Sequence, residues 1–209
     1  MRQLIIENRK SKIENQLVAL RQREHIPTST RRAAIRARLM ERFAQMNLAI
    51  VETQIGWIGV AFSERGLAGI ELPRATRAQT LANLQRDFPK AAVVADAPIE
   101  IARELREYTE GRRRQFTLPL DWSSIRPFQR EVLRTADSIK YGETRTYAWI
   151  AREIGKPRAA RAVGRALATN PIPIILPCHR VLGSDGGLRG YGGGLPLKRR
   201  LLELEGALS

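Results

Sequence analysis

The stretch at residues 171–191, PIPIILPCHRVLGSDGGLRGY, constrains this chain more than any other part of it. The apolar run Ile172-Pro173-Ile174-Ile175-Leu176 reads as a short buried segment that ends at Pro177, because proline neither continues a helix nor donates to a ladder. It leads directly onto Cys178, the only cysteine of the chain, and onto His179, one of two histidines. The thiol is thus expected at the end of a rigid element, in a wall of low polarity. A lone cysteine is in most chains a small buried hydrophobe. An adjacent imidazole changes that reading, since the thiolate and not the thiol reacts and a neighbouring base can generate it.

At 209 residues the chain is long enough for one large or two small domains with real cores. A single cysteine excludes an internal disulfide and a multi-cysteine zinc site and fits a reducing compartment. No metal and no cofactor are expected. No apolar run approaches the ~18 residues needed to cross a bilayer. The amino terminus has no uninterrupted apolar stretch of the secretory kind, so a cytoplasmic protein with no membrane partner is expected. The formal net charge of +15 calls for a polyanionic partner, nucleic acid ahead of a membrane surface. On charge alone a solvated basic surface is the competing reading.

Residues 1–45 are set apart by charge, with Arg2, Arg9, Lys10, Lys12, Arg21, Arg23, Arg31, Arg32, Arg36, Arg38 and Arg42 against Glu7, Glu14, Glu24 and Glu41. Ile5, Ile13, Leu17 and Leu20 hint at one amphipathic helix, and Ile35, Leu39 and Phe43 at a second, separated by the IPTST of residues 26–30. This region reads as a basic extension outside the folded unit; the alternative is an arm that adds non-specific phosphate affinity. His25 lies in it and reads as solvated.

From Leu48 the pattern changes. Residues 48–52, 57–62 and 67–72 read as strands divided by Gly56 and by Ser63-Glu64-Arg65-Gly66. A helix is predicted over 76–87 with Leu81, Leu84 and Phe88 on one face, and a short strand over 91–94. Another helix starts at Pro98, buries Ile101, Leu105 and Tyr108, and stops at Gly111. Residues 46–122 therefore form an α/β domain. Arg112, Arg113 and Arg114 read as a solvated turn at the crossing to a second domain, residues 123–209.

The second domain opens with Pro127 at the first position of a helix bearing Phe128, Val132, Ala136 and Ile139. Thr146 is a good N-cap for a helix over 147–154; Gly155 makes a turn, and Pro157 starts a second helix running through Leu167. With Ile150 and Ile154 facing Val163 and Leu167, the pair is a helix-turn-helix candidate. Arg158, Arg161 and Arg165 fall on one face of its second helix, while Ala159, Ala160, Ala162 and Gly164 keep it slim. Such a helix can approach a groove closely and place arginines on phosphates or into the stack; a solvated basic face is the alternative. Asn170-Pro171 closes the helix and can fix it against the cysteine segment. A last helix begins with Pro196 and ends at Gly206, with Leu197, Leu201, Leu204 and Leu208 as its apolar stripe. Glu205 borders that stripe, and a carboxylate there needs a partner. His179 is the only candidate imidazole in the folded part.

The PCHR at residues 177–180, with spacing that agrees from Phe128 to Glu205, resembles the active-site motif of the O6-alkylguanine-DNA alkyltransferases. The resemblance implies a two-domain α/β (α+β) protein with a ribonuclease-like amino-terminal domain and a helical, winged helix-turn-helix-like carboxy-terminal domain. It implies that Cys178 accepts an alkyl group from guanine in an irreversible, single-turnover transfer, with O4-alkylthymine as a further possible substrate. His179, oriented by Glu205, would act as base through a water, leaving a thiolate and an imidazolium; Tyr191 and Lys198 would assist the departing guanine, and Asn170 would brace the site. Val181 would offer a carbonyl to the base, with Leu167 and Gly192 in the pocket. Tyr147, Arg158, Ala160, Arg161, Arg165 and Arg180 would meet DNA, with Arg161 filling the stack when the base is turned out, at a cost of a few kcal/mol. The partner implied is double-stranded DNA containing alkylated guanine, bound by a monomer in a bacterial or archaeal cytosol, associated with the nucleoid.

The chain departs from the family pattern in four places. The cysteines of a zinc cluster are absent, as is the four-cysteine domain of regulatory relatives; Gly192 stands where some relatives have a hydroxyl residue, and Arg165 where some have a small one. Three other classes remain on the residues alone: a non-enzymatic lesion-binding protein, which Cys178 argues against, a DNA-binding regulator, and a cysteine hydrolase.

Overall fold

Alternation of apolar residues with glycine turns produces three antiparallel strands, β1 (Asn47–Thr53), β2 (Gly56–Ser63) and β3 (Gly66–Glu71). In this computed structural model residues 45–208 are described, and the expectations for the basic extension and His25 lie outside them. Both hairpins open on a glycine of positive φ, Gly56 at 117° and Gly66 at 126°, a region that residues with a Cβ avoid. Strand β4 (Ala92–Val93) adds parallel to β1, giving the order β3-β2-β1-β4.

Two helices cover opposite faces of this sheet, as strand periodicity requires. Helix α1 (Arg77–Asp87) is capped by Thr76, whose hydroxyl accepts from the Gln79 amide, and packs Leu84 on Leu48 and Ala61. Helix α2 (Ile99–Thr109) buries Ile101, Leu105 and Tyr108 against Ala49, Val51, Ile58 and Val60. On the α1 side Gly69 lies beneath Phe88, where an added Cβ would come within 2.6 Å of the ring.

The outer edge of β3 is not left open. At one end the Leu67 amide donates to the Pro119 carbonyl and the Asp121 amide to the Leu67 carbonyl, both at 2.8 Å. At the other end the Ile70 amide donates to the Pro171 carbonyl at 2.8 Å. Backbone groups that an edge strand exposes are thus satisfied by the crossing segment and by the chain just ahead of Cys178.

Helices α3 (Pro127–Asp137), α4 (Tyr147–Glu153), α5 (Ala160–Ala168) and α6 (Gly194–Leu204) build the rest, with a short parallel pair β5 (Arg145–Thr146) and β6 (Val181–Leu182). Thr146 caps α4 by accepting from the Trp149 amide, and Gly155 turns at φ 70° before α5. Ile150, Val163 and Leu167 are buried between the two helices. One apolar cluster runs from Val51 and Val60 of the sheet through Val132 and Ile150 to Cys178 and Leu201. Among the described residues no helix is long and apolar enough to cross a membrane.

The structure departs from several local readings. Helix α5 starts at Ala160 rather than Pro157, because residues 156–159 close a turn in which the Ala159 amide donates to the Lys156 carbonyl at 2.8 Å. Arg158 consequently stands off the helix. Pro196 is the third residue of α6, whose inward face carries Lys198 and Leu202 with Leu201, while Leu208 lies beyond its end. Arg112 and Arg114 are exposed, as a solvated turn requires, with Arg112 paired to Glu110, while Arg113 is drawn partly inward by Glu104 and Glu107. Arg114 lies over the Tyr141 ring, 5.7 Å from its centre.

Candidate active site

The segment ahead of the cysteine is held from both sides. Ile172, Ile174 and Leu176 are wholly buried, and Ile174 adopts φ 74°, a strained conformation for a β-branched residue. Asn170, just past α5, spans the segment: its Nδ2 donates to the Leu176 carbonyl at 2.7 Å and to Cys178 Sγ at 3.2 Å, and its Oδ1 accepts from the Ile172 amide at 3.0 Å. Residues Cys178–Arg180 then form one 3₁₀ turn. Cys178 is a free thiol, 8% exposed, at the border between core and surface.

Behind the thiol lies a buried polar network. His179 Nε2 is 3.0 Å from Glu205 Oε1, and both side chains are fully enclosed. Glu205 also accepts from Tyr108 Oη at 2.5 Å and from Arg180, whose Nε reaches Oε2 at 2.8 Å and Nη2 reaches Oε1 at 2.9 Å. Burial pushes the Glu205 carboxyl up, but the hydrogen bonds from His179 and Arg180 outweigh it and hold the group at about 2. An anionic Glu205 assigns the proton to Nε2 of His179. Its Nδ1, buried without a partner among the described residues, is then the free lone pair.

Burial pulls His179 below 6.5 despite Glu205, and raises Cys178 above 9.0 despite the Asn170 hydrogen bond and the Lys198 charge. Both directions favour a neutral thiol beside a neutral imidazole at rest. The Tyr191 hydroxyl is the second buried polar atom lacking a partner here; burial, Cys178 and Glu205 raise its pKa well above 10.0, so it is a phenol ready to donate. Its ring meets that of His179 edge-on, with centres 6.4 Å apart. Lys198 Nζ donates to the carbonyls of Val181 at 2.7 Å and Arg189 at 3.3 Å, and burial lowers it to about 8.

Of the residues singled out above, Cys178, His179, Glu205, Asn170, Tyr191, Lys198 and Val181 come together. Tyr147 opens α4 beside them; burial and then Cys178 raise its phenol. Arg161 and Arg165 are exposed on α5, Ala160 is its first residue, and Leu167 is buried beneath it. Gly192 is exposed next to Leu72. Arg180 does not face outward: with 7% of its surface exposed, it is committed to Glu205 and to the Ile139 carbonyl at 2.6 Å, so the expectation that it meets DNA is corrected. Tyr108, read only as part of an apolar helix stripe, belongs to the site. Its signal was a hydroxyl that burial obliges to find a partner. Among the described residues no three His, Cys, Asp or Glu side chains gather to hold a metal ion.

Two family profiles match the chain. "6-O-methylguanine DNA methyltransferase, ribonuclease-like domain" covers residues 46–122, and the corresponding "DNA binding domain" covers 127–207. This chain belongs to the 6-O-methylguanine DNA methyltransferase family. The methylated-DNA–protein-cysteine methyltransferase of Methanosarcina barkeri is 44% identical over 158 residues, which are 75% of this chain and 94% of that one. The crystal structure of Mycobacterium tuberculosis O6-methylguanine methyltransferase superposes with a TM-score of 0.68 at 36% identity, covering 78% of this chain and 93% of that one. The same mycobacterial protein in complex with DNA gives a TM-score of 0.66 at 37% identity, over 77% and 92%. The sheet with α1 and α2 is thus the ribonuclease-like part of a methyltransferase of this family, and α3 to α6 its DNA-binding part.

Proposed function

We propose that this protein repairs DNA by transferring an alkyl group, methyl above all, from O6 of guanine to its own Cys178. The observation that carries this reading is a single free thiol whose neighbour, His179, is backed by a buried carboxylate and leaves one nitrogen open. This is the order of nucleophile, base and orienting acid found in hydrolytic triads, with sulfur in place of oxygen.

His179 Nδ1 takes the thiol proton through a water, while Sγ attacks the alkyl carbon. The C–S bond forms as the bond to O6 breaks, and the electron pair leaves with guanine. Tyr191 supplies the proton that neutralises the departing base; the imidazolium then releases its own to solvent and the tyrosinate takes one back from solvent, which restores both groups. Lys198 holds the Val181 carbonyl in place and puts positive charge near Sγ. A thioether has no leaving group that water can displace at useful rates, so each molecule acts once.

A stacked base cannot reach Cys178, so the lesion is turned out of the duplex, with a monomer bound to double-stranded DNA through α4 and α5. Arg161 fills the place of the missing base and Tyr147 presses on the neighbouring phosphate. The mycobacterial relative has been crystallised with DNA, which supports a nucleic-acid partner.

Intact-mass measurement after incubation with an oligonucleotide containing one O6-methylguanine is expected to show one methyl replacing one hydrogen on every protein molecule. Unchanged mass, or repeated product release, overturns the proposal in favour of a binder or a hydrolase. Arg161→Ala is expected to keep the rate with free O6-modified guanine and to slow repair of duplex DNA about tenfold or more, through loss of the group that compensates unstacking. Equal losses on both substrates would remove Arg161 from base extrusion.

A further inference from the structure

We propose that Tyr108 is a positioning residue of the reactive centre, by which the ribonuclease-like part sets how strongly Glu205 draws on His179. The inference rests on the base role given above to His179. Tyr108 lies in the last turn of α2, fully buried, its ring fixed by Phe116 at 5.1 Å and by Tyr141, edge-on, at 6.2 Å. Its hydroxyl is 2.5 Å from Glu205 Oε1 and 3.3 Å from His179 Nε2, across 97 and 71 residues of chain. Tyr108 is thus a side chain of the ribonuclease-like part within hydrogen-bond distance of both His179 and Glu205.

The chemistry follows from which atom donates. Burial, with the Glu205 charge, raises the phenol well above 10.0, so Tyr108 keeps its proton and donates it to the carboxylate. Oε1 then receives Tyr108, His179 Nε2 and Arg180 Nη2, and Oε2 receives Arg180 Nε. A charge-assisted hydrogen bond takes up part of the carboxylate charge. What Tyr108 takes up is unavailable to stabilise imidazolium. Tyr108 therefore helps keep His179 neutral and its Nδ1 lone pair free. The other groups facing His179 are Lys198 on α6, Cys178 and Arg180 on the 3₁₀ turn, and Tyr191 on the loop before α6, and none of them shares Oε1 except Arg180.

Tyr108→Phe removes the hydroxyl and leaves the ring. In a His25→Gln background His179 is the sole imidazole, since the chain has two histidines, and its titration can be followed by NMR. Tyr108→Phe is expected to raise the His179 midpoint by about half a pH unit or more and to carry the acid limb of the transfer rate upward with it. An unmoved midpoint overturns the proposal. So does a rate that falls equally at every pH together with a lower melting temperature, the signature of a purely structural contact. A shifted midpoint in a protein whose wild type transfers no methyl would uphold the coupling and sink the reading of function instead.

Discussion

Cys178→Ser is expected to retain the fold and DNA binding while losing methyl transfer by more than about a thousandfold, the scale on which removing a nucleophile acts in hydrolytic triads. Serine is close to cysteine in volume, and its oxygen can accept the Asn170 Nδ2 hydrogen bond that Sγ accepts at 3.2 Å. The alternative explanation, unfolding, is thereby weakened at the outset. What is lost is acidity and nucleophilicity: toward a saturated alkyl carbon an alcohol is a far poorer nucleophile than a thiolate, and the imidazole of His179, pulled below 6.5 by burial, ionises it less readily than a thiol. Stoichiometric labelling with methyl-labelled DNA, run beside thermal melting and a DNA-binding isotherm, separates the outcomes. Persistent labelling of the serine variant would mean that another side chain is the acceptor.

Glu205→Gln is expected to cost about 3–5 kcal/mol of stability at neutral pH, the range for breaking a buried ion pair by removing one partner. Arg180 would keep its charge, 8% exposed at the side chain, with only the Ile139 carbonyl and a neutral amide to meet it. The same change should slow transfer, because His179 loses the anion that stabilises its protonated form. The effect depends on pH in a defined sense. Glu205 titrates at about 2 in the fold against 4.5 as a free group, so its contribution is complete above 4.5 and is lost as pH falls through about 2. The gap between wild type and Glu205→Gln should therefore close over that interval. His179, lowered from 6.5, works in the same direction: below 6.5 the unfolded chain takes up a proton that the fold resists, and stability falls with acid. Urea unfolding at several pH values measures both. A variant within about 1 kcal/mol of wild type at neutral pH would show that the carboxylate does not support the fold, and an unchanged transfer rate that it does not support the base.

The elements were legible where local chemistry decides them. The strand predicted over 48–52 occupies Asn47–Thr53, and that over 57–62 occupies Gly56–Ser63, because glycine turns and apolar alternation act within a few residues. Thr146 caps the helix it was expected to cap, and Thr76, read as the first residue of its helix, is that helix's cap. Arg158 was misplaced for the opposite reason. Proline is compatible with a helix start, but here the chain spends residues 156–159 on a separate turn, a choice that packing of α4 against α5 decides.

Within the active site, the adjacency of Cys178 and His179 and the bracing of the segment by Asn170 were readable because those residues are neighbours, or nearly so, along the chain. Composition could add a basic molecule with one thiol, and the PCHR motif with its spacing could add the family. The orientation of Arg180 could not be read, since an arginine next to the reactive pair suits a phosphate as well as a carboxylate until Glu205 is brought to it across 25 residues. Nor could Tyr108, which local periodicity marks only as one more inward-facing apolar position. The chain alone determined which atoms can react; the tertiary structure decided which proton each of them holds, because burial and the meeting of charges distant in sequence exist only once the sheet, α2 and α6 close around His179.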